Sequence, residues 1–178
     1  MISRYFSGFS LVNEKTLFSD YLIENDFTVS GFSYGSIQAF EAVYATKKRV
    51  DLLQLFSPAF FQDKDKKYKR MQLMFFKKDS TAYCENFLKN IALPSSLDMQ
   101  TYFKQGSYEE LETLLIYEWD KEKLQELVNR GIQIEVYLGS DDKIIDATKA
   151  HEFFKEFATS YYIKNAGHIL KISKDYNE

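Results

Sequence analysis

The residues with the most chemistry in them are Gly31-Phe32-Ser33-Tyr34-Gly35, a serine bracketed by glycines two positions away on either side. The motif directly follows the apolar run Phe27-Thr28-Val29 and opens a helical pattern from Tyr34 to Thr46. A strand, a sharp turn and a helix in that order hold a serine in a strained backbone conformation and present its hydroxyl at the end of the strand. Side chains at the two flanking positions would collide there, so Gly31 and Gly35 answer a steric demand. The start of the helix also brings its positive dipole end and unpaired N–H groups to the hydroxyl.

A serine hydroxyl is a poor nucleophile until a base removes its proton. The chain has two histidines. His151 lies inside a helical pattern beside Glu152 and reads as a surface or structural residue. His168, in Asn165-Ala166-Gly167-His168, follows the last apolar run and is the candidate base. Such a base needs a carboxylate to hold its tautomer. Gly139-Ser140-Asp141-Asp142 follows another apolar run, and a glycine, two residues and then the acid favours Asp142. Asp141 is the second candidate, and Asp146 reads as the cap of a helix beginning near Ala147. Acyl transfer also needs donors for the oxyanion. The N–H of Tyr34 is one. The N–H of Phe9, in Ser7-Gly8-Phe9, is the expected second, although an ordinary glycine turn fits the same residues.

These groups are useful only if a scaffold brings them to one place. Short apolar runs alternate with longer helical patterns, the mark of a parallel sheet crossed by helices. Strands are expected at Ile2–Phe6, Phe27–Ser30, Val50–Phe56, Ile132–Leu138 and Ser160–Ile163. Helices are expected at 14–23, with Asn13 as cap, and at 34–46, 121–129 and 147–157. Residues 58–118 read as a helical insertion, a lid over one edge of the sheet. The expected fold class is α/β: a single domain over 1–178, a mostly parallel sheet of about five strands, and the lid at 58–118. In such a sheet the serine, the aspartate and the histidine all follow strand ends.

Composition bounds the rest. At 178 residues, with 45% hydrophobic and 28% charged, the chain is globular and buries enough surface to fold without disulfides. The net charge of -3 gives no reason to bind nucleic acid. Cys84 is the single cysteine, so neither an intrachain disulfide nor a cysteine metal cluster is possible. The first residues lack the basic start and apolar run of a signal peptide, and no stretch has the length of apolar sequence that spans a bilayer. A cytoplasmic protein without metal or cofactor is expected.

The order Ser33, Asp142, His168 is the order used by α/β-hydrolases. Tyr5-Phe6-Ser7-Gly8-Phe9, Ser30 to Gly35, Leu55-Phe56-Ser57-Pro58, Glu135 to Gly139 and the late His168 resemble the short pimeloyl-[acyl-carrier protein] methyl ester esterases of biotin synthesis (BioV type). The likeness runs the whole length, through Lys69-Arg70-Met71-Gln72-Leu73 and Glu109-Glu110-Leu111-Glu112. It implies hydrolysis of the methyl ester of a pimeloyl chain held on acyl carrier protein, with Ser33, Asp142 and His168 as the triad. Larger hydrolases often carry His-Gly before the oxyanion residue, whereas Ser7-Gly8 stands here. The carrier is an acidic partner, and Lys64, Lys66, Lys67, Lys69, Arg70, Lys77 and Lys78 crowd one part of the lid. They are candidates to dock it by charge, against the alternative of a solvated helix face. Tyr68, Met71, Met74 and Phe75 recur between them at helical spacing and are candidates to line an acyl channel. Two other functions fit the same residues: a generic short-chain carboxylesterase or thioesterase, and a non-catalytic binding module of hydrolase fold.

Overall fold

The computed structural model describes residues 3–174. Five parallel strands form its sheet: β1 (Tyr5–Phe6), β2 (Thr28–Phe32), β3 (Leu52–Phe56), β4 (Gln133–Gly139) and β5 (Thr159–Ile163). They lie side by side in chain order, with Phe6 opposite Gly31, Gly31 opposite Leu55, Leu55 opposite Val136 and Leu138 opposite Tyr162. The helices are α1 (Tyr34–Ala45), α2 (Lys66–Lys78), α3 (Ser80–Ala92), α4 (Tyr108–Ile116), α5 (Lys121–Asn129) and α6 (Ala147–Phe154). Aspartates cap four of them: Asp65, Asp79, Asp120 and Asp146 accept backbone N–H groups at the starts of α2, α3, α5 and α6. A Ser107–Glu110 capping box starts α4.

Strand order that follows chain order, joined by right-handed crossovers, sends α1, α5 and α6 to one face of the sheet. That face holds Val29, Leu53, Leu55, Ile134, Val136 and Leu138 against Phe40, Leu124, Leu127 and Phe154. The opposite face holds Phe32, Phe56 and Tyr137 against Leu17, Phe18, Ile91 and Ile169. Covered on both sides, β2 and β3 are buried along their whole length, as the near-continuous apolar runs require.

The stretch 14–23 departs from expectation. A 3-10 turn at Glu14–Phe18 replaces the helix, and Asn13 sits in the left-handed region without capping anything. The apolar spacing was real, since Leu17 and Phe18 are buried. Two buried side chains outcompete the helix for hydrogen bonds. Glu14 turns inward to accept the Tyr5 hydroxyl at 3.1 Å and the Gly8 N–H at 2.9 Å. Gln54 on β3 accepts the Ile23 N–H at 2.9 Å and donates to the Tyr21 carbonyl at 2.9 Å. The first strand is also shorter than expected, and Ile2 lies outside the described residues. Helix α6 ends at Phe154, short of the expected 157.

A parallel sheet sends every strand's carboxyl end to the same rim, where ligands of open α/β sheets bind. Ser7–Phe9, Ser33, Ser57, Ser140–Asp142 and Asn165–His168 each follow one of the five strands in turn. Residues 58–118, with α2, α3 and α4, leave the sheet after β3 and return before α5.

Candidate active site

Ser33 sits between β2 and α1 at φ 54° and ψ -117°, a strained conformation for a residue with a side chain. Backbone hydrogen bonds over-determine it: its N–H donates to the Phe56 carbonyl, and its carbonyl accepts from Ser36 and Ala59. The turn is tight enough that a Cβ on Gly31 would lie 2.2 Å from the Gly35 carbonyl oxygen. A Cβ on Gly35 would lie 2.0 Å from the Phe6 carbonyl oxygen, on the neighbouring strand. Backbone atoms cannot yield as a flexible side chain would. Gly31→Ala should therefore destabilise the fold by about 3 kcal/mol or more, at or above the upper end of what overpacking usually costs. A urea melt checks this; a midpoint equal to wild type would mean the turn is looser than described.

The imidazole of His168 reaches Ser33 from the loop after β5. Its Nε2 lies 3.0 Å from the Ser33 Oγ, and its Nδ1 lies 2.6 Å from the Asp142 Oδ2. Both distances suit proton transfer and orientation. The assembly is dry: Ser33 is 4% exposed, His168 is 0% exposed, and the Asp142 side chain is fully covered. With the shared proton on Nδ1 toward the carboxylate, Nε2 is the acceptor facing the serine O–H. The Asp142 Oδ1 accepts the N–H groups of Ile144 at 2.7 Å and Ile145 at 3.0 Å, which fixes the carboxylate plane.

Asp141, the second candidate, faces elsewhere. Its Oδ1 accepts the Ser140 hydroxyl at 2.9 Å, and its N–H donates to the Ala166 carbonyl. The loops after β4 and β5 pack so closely that a Cβ on Gly139 would lie 2.3 Å from the Ala166 carbonyl oxygen. Here is the physical basis of the spacing that favoured Asp142: glycine lets the histidine loop come down onto the strand end, and the acid follows one turn later. His151 is on α6, away from Ser33, and pairs with the Ser160 hydroxyl at 2.8 Å. Asp146 accepts the Lys149 N–H as the α6 cap.

Phe9 and Ser33 line one cavity. Among the described residues the N–H groups of Phe9 and Tyr34 have no hydrogen-bond partner. Three further side chains support this region. The Ser57 hydroxyl, at the end of β3, donates to the His168 carbonyl at 2.5 Å and holds the imidazole loop. The Ser36 hydroxyl donates to the Gly31 carbonyl at 2.8 Å. Buried Glu14 accepts the Gly8 N–H and pins the loop carrying Phe9. Their sequence signal is weak, because serine and glutamate are common surface residues.

The cavity holds about 190 Å³. Phe9, Phe61, Leu111, Leu114 and Leu115 form its buried wall, and Tyr68, Gln72, Asn86, Asn90 and Lys143 its polar part. Of the aromatic and methionine residues expected to line a channel, Tyr68 does so. Met71, Met74 and Phe75 do not: they are exposed on the outer face of α2. Helical geometry separates them, since Tyr68, Gln72 and Phe76 form the i, i+4, i+8 stripe that faces inward. Lys66, Lys67, Arg70, Lys77 and Lys78 are exposed on the outer side, while Lys69 and Lys64 are half-buried. Lys64 pairs with Asp63 at 3.5 Å, and the Lys77 ammonium lies over the Tyr108 ring at 4.6 Å.

No family model and no curated protein matches this sequence. Its structure does have solved counterparts. An esterase from Exiguobacterium antarcticum matches with a TM-score of 0.59 at 18% identity, over 79% of this chain and 59% of that one. A structure from work on carboxylesterases of the thaumarchaeon Nitrososphaera gargenis matches with a TM-score of 0.55 at 20% identity, over 79% and 57%. The chain has the α/β-hydrolase fold. It spans little more than half the length of these two relatives in structure. BioG from Haemophilus influenzae is different in scale: TM-score 0.58 at 14% identity, over 93% of this chain and 87% of that one. Among the described residues no helix is long and apolar enough to cross a membrane.

Proposed function

We propose that the protein is a serine esterase that removes the methyl ester of a pimeloyl chain carried on acyl carrier protein, a cytoplasmic step of biotin synthesis. The observation that carries the esterase reading is the continuous contact from Asp142 through His168 to Ser33 beside an apolar cavity. Three things support the narrower substrate: the resemblance of the motifs, a fold match that covers 87% of BioG, and the cationic outer face of α2. In this reading 58–118 is the lid and the whole described chain is one catalytic domain.

The Ser33 oxygen attacks the ester carbonyl as its proton passes to His168 Nε2. The N–H groups of Phe9 and Tyr34 hold the resulting oxyanion. Collapse breaks the bond to the methoxy oxygen, which leaves as methanol with the proton from His168. Water then gives its proton to His168 and attacks the acyl-enzyme. Ser33 departs with that proton, and the free carboxylate is released.

Incubation with methyl-pimeloyl carrier protein tests the reading: its mass should fall by one CH2. Turnover of small free esters with none of the carrier-bound ester would make the protein a generic carboxylesterase. No turnover and no covalent labelling would make it a binding module.

Carrier docking makes a further prediction. Lys66, Lys67, Arg70 and Lys78 make no ion pair among the described residues, and Asp65 and Asp79 at the two ends of the helix offset only part of their charge. Reversing all four to Glu should lower kcat/KM for the carrier-bound ester by about tenfold or more at low salt, through encounter rate. The loss should shrink as salt screens the field. Turnover equal to wild type at low salt would remove α2 from docking.

A further inference from the structure

Helix α3 has two inward stripes where a surface helix needs one. Cys84, Leu88, Ile91 and Ala92 are buried and fix the helix to the core. Tyr83, Asn86, Phe87 and Asn90, at i, i+3, i+4 and i+7, face the cavity instead. Two members of that second stripe are carboxamides. A third, Gln72 of α2, faces them across the same cavity.

Burial sets these groups at the mouth. Asn86 is exposed, and Asn90 and Gln72 are half-buried, whereas the leucines of α4 behind them are buried. The side chains of Asn86 and Asn90 make no hydrogen bond among the described residues. Gln72 accepts the Tyr83 hydroxyl at 2.9 Å through its carboxamide oxygen, which leaves its N–H2 group to donate into the cavity. A ligand that fits has an apolar segment next to the reacting ester and amide groups farther out. A secondary amide offers one N–H and one carbonyl, and a carboxamide answers both.

We propose that Gln72, Asn86 and Asn90 form a subsite for the amide-bearing pantetheine arm of the substrate. The inference rests on the carrier-bound reading above and adds the residues that select for it. The pimeloyl methylenes lie along the leucine and phenylalanine wall, and the first amide of the arm meets the three carboxamides where the cavity opens. An ester on a plain alkyl chain of equal length would leave them hydrated.

The test compares methanol release from S-(methyl pimeloyl)pantetheine and from dimethyl pimelate, which share the reacting ester and chain length but not the amides. Wild type should favour the pantetheine substrate in kcat/KM. In the double variant Asn86→Ala, Asn90→Ala that preference should fall by about tenfold, as expected for two lost neutral hydrogen bonds, with the change in KM. If the double variant fails to fold, Asn90→Asp keeps the size, removes the donor, and should lower the same ratio in part. Equal losses on both substrates, or a preference that does not move, would overturn the subsite. Wild type that hydrolyses both substrates equally well would also overturn it while leaving the esterase reading intact. Wild type that hydrolyses neither would mean the esterase reading itself has failed.

Discussion

Ser33→Ala should abolish turnover, with a loss on the order of 10⁶-fold, because members of a triad act as a unit and the nucleophile cannot be replaced by its neighbours. The substitution tests chemistry and not folding. Alanine at φ 54° carries the same backbone strain as serine, so none is added. The three backbone hydrogen bonds that hold residue 33 use its N–H and carbonyl, which the variant keeps. Only the hydroxyl facing His168 is lost. The melting temperature should stay within a few degrees of wild type, and a fluorophosphonate probe should label the wild type alone. Equal labelling of both proteins would place the nucleophile elsewhere.

The elbow was legible because its requirements are steric and local. Two glycines at fixed offsets report a turn so tight that backbone meets backbone, and no distant residue can change that demand. The rim was legible for a related reason: parallel strands put all their carboxyl ends together, whatever the lengths of the elements between. What the sequence hid was decided by partners far along the chain. Residues 14–23 carry a fair helical pattern, yet Gln54, more than thirty residues away, takes the hydrogen bonds of Tyr21 and Ile23. A polar residue in the middle of a buried strand was the available clue, since it has to find partners somewhere. The outer and inner sides of α2 were likewise mixed by reading it as one apolar stripe. Met74 and Phe75 lie among lysines on the solvent side, and the cavity receives Tyr68 and Gln72. The polar mouth gave no sequence signal, because asparagines on a helix look like solvent-facing residues until the fold turns them inward.

Asp141 and Asp142 are adjacent and both at the correct strand end, so their roles separate only through geometry, and that geometry predicts opposite outcomes for the same substitution. Asp142→Asn should lower kcat by on the order of 10⁴-fold with little change in stability. The Oδ1 of residue 142 accepts two backbone N–H groups, from Ile144 and Ile145, and only an oxygen can serve there. The asparagine is therefore held with its oxygen on the backbone and its N–H2 toward His168 Nδ1. The imidazole must then accept at Nδ1 and carry its proton on Nε2. That tautomer points a proton at the Ser33 oxygen and has no lone pair to take one away. Asp141→Asn should change the rate by no more than about twofold, because an asparagine oxygen can still accept the Ser140 hydroxyl, as exposed and half-exposed substitutions usually permit. Steady-state rates for the two variants on one methyl ester decide the matter. A dead Asp141→Asn beside an active Asp142→Asn would mean that the loop after β4 turns the other carboxylate to the histidine.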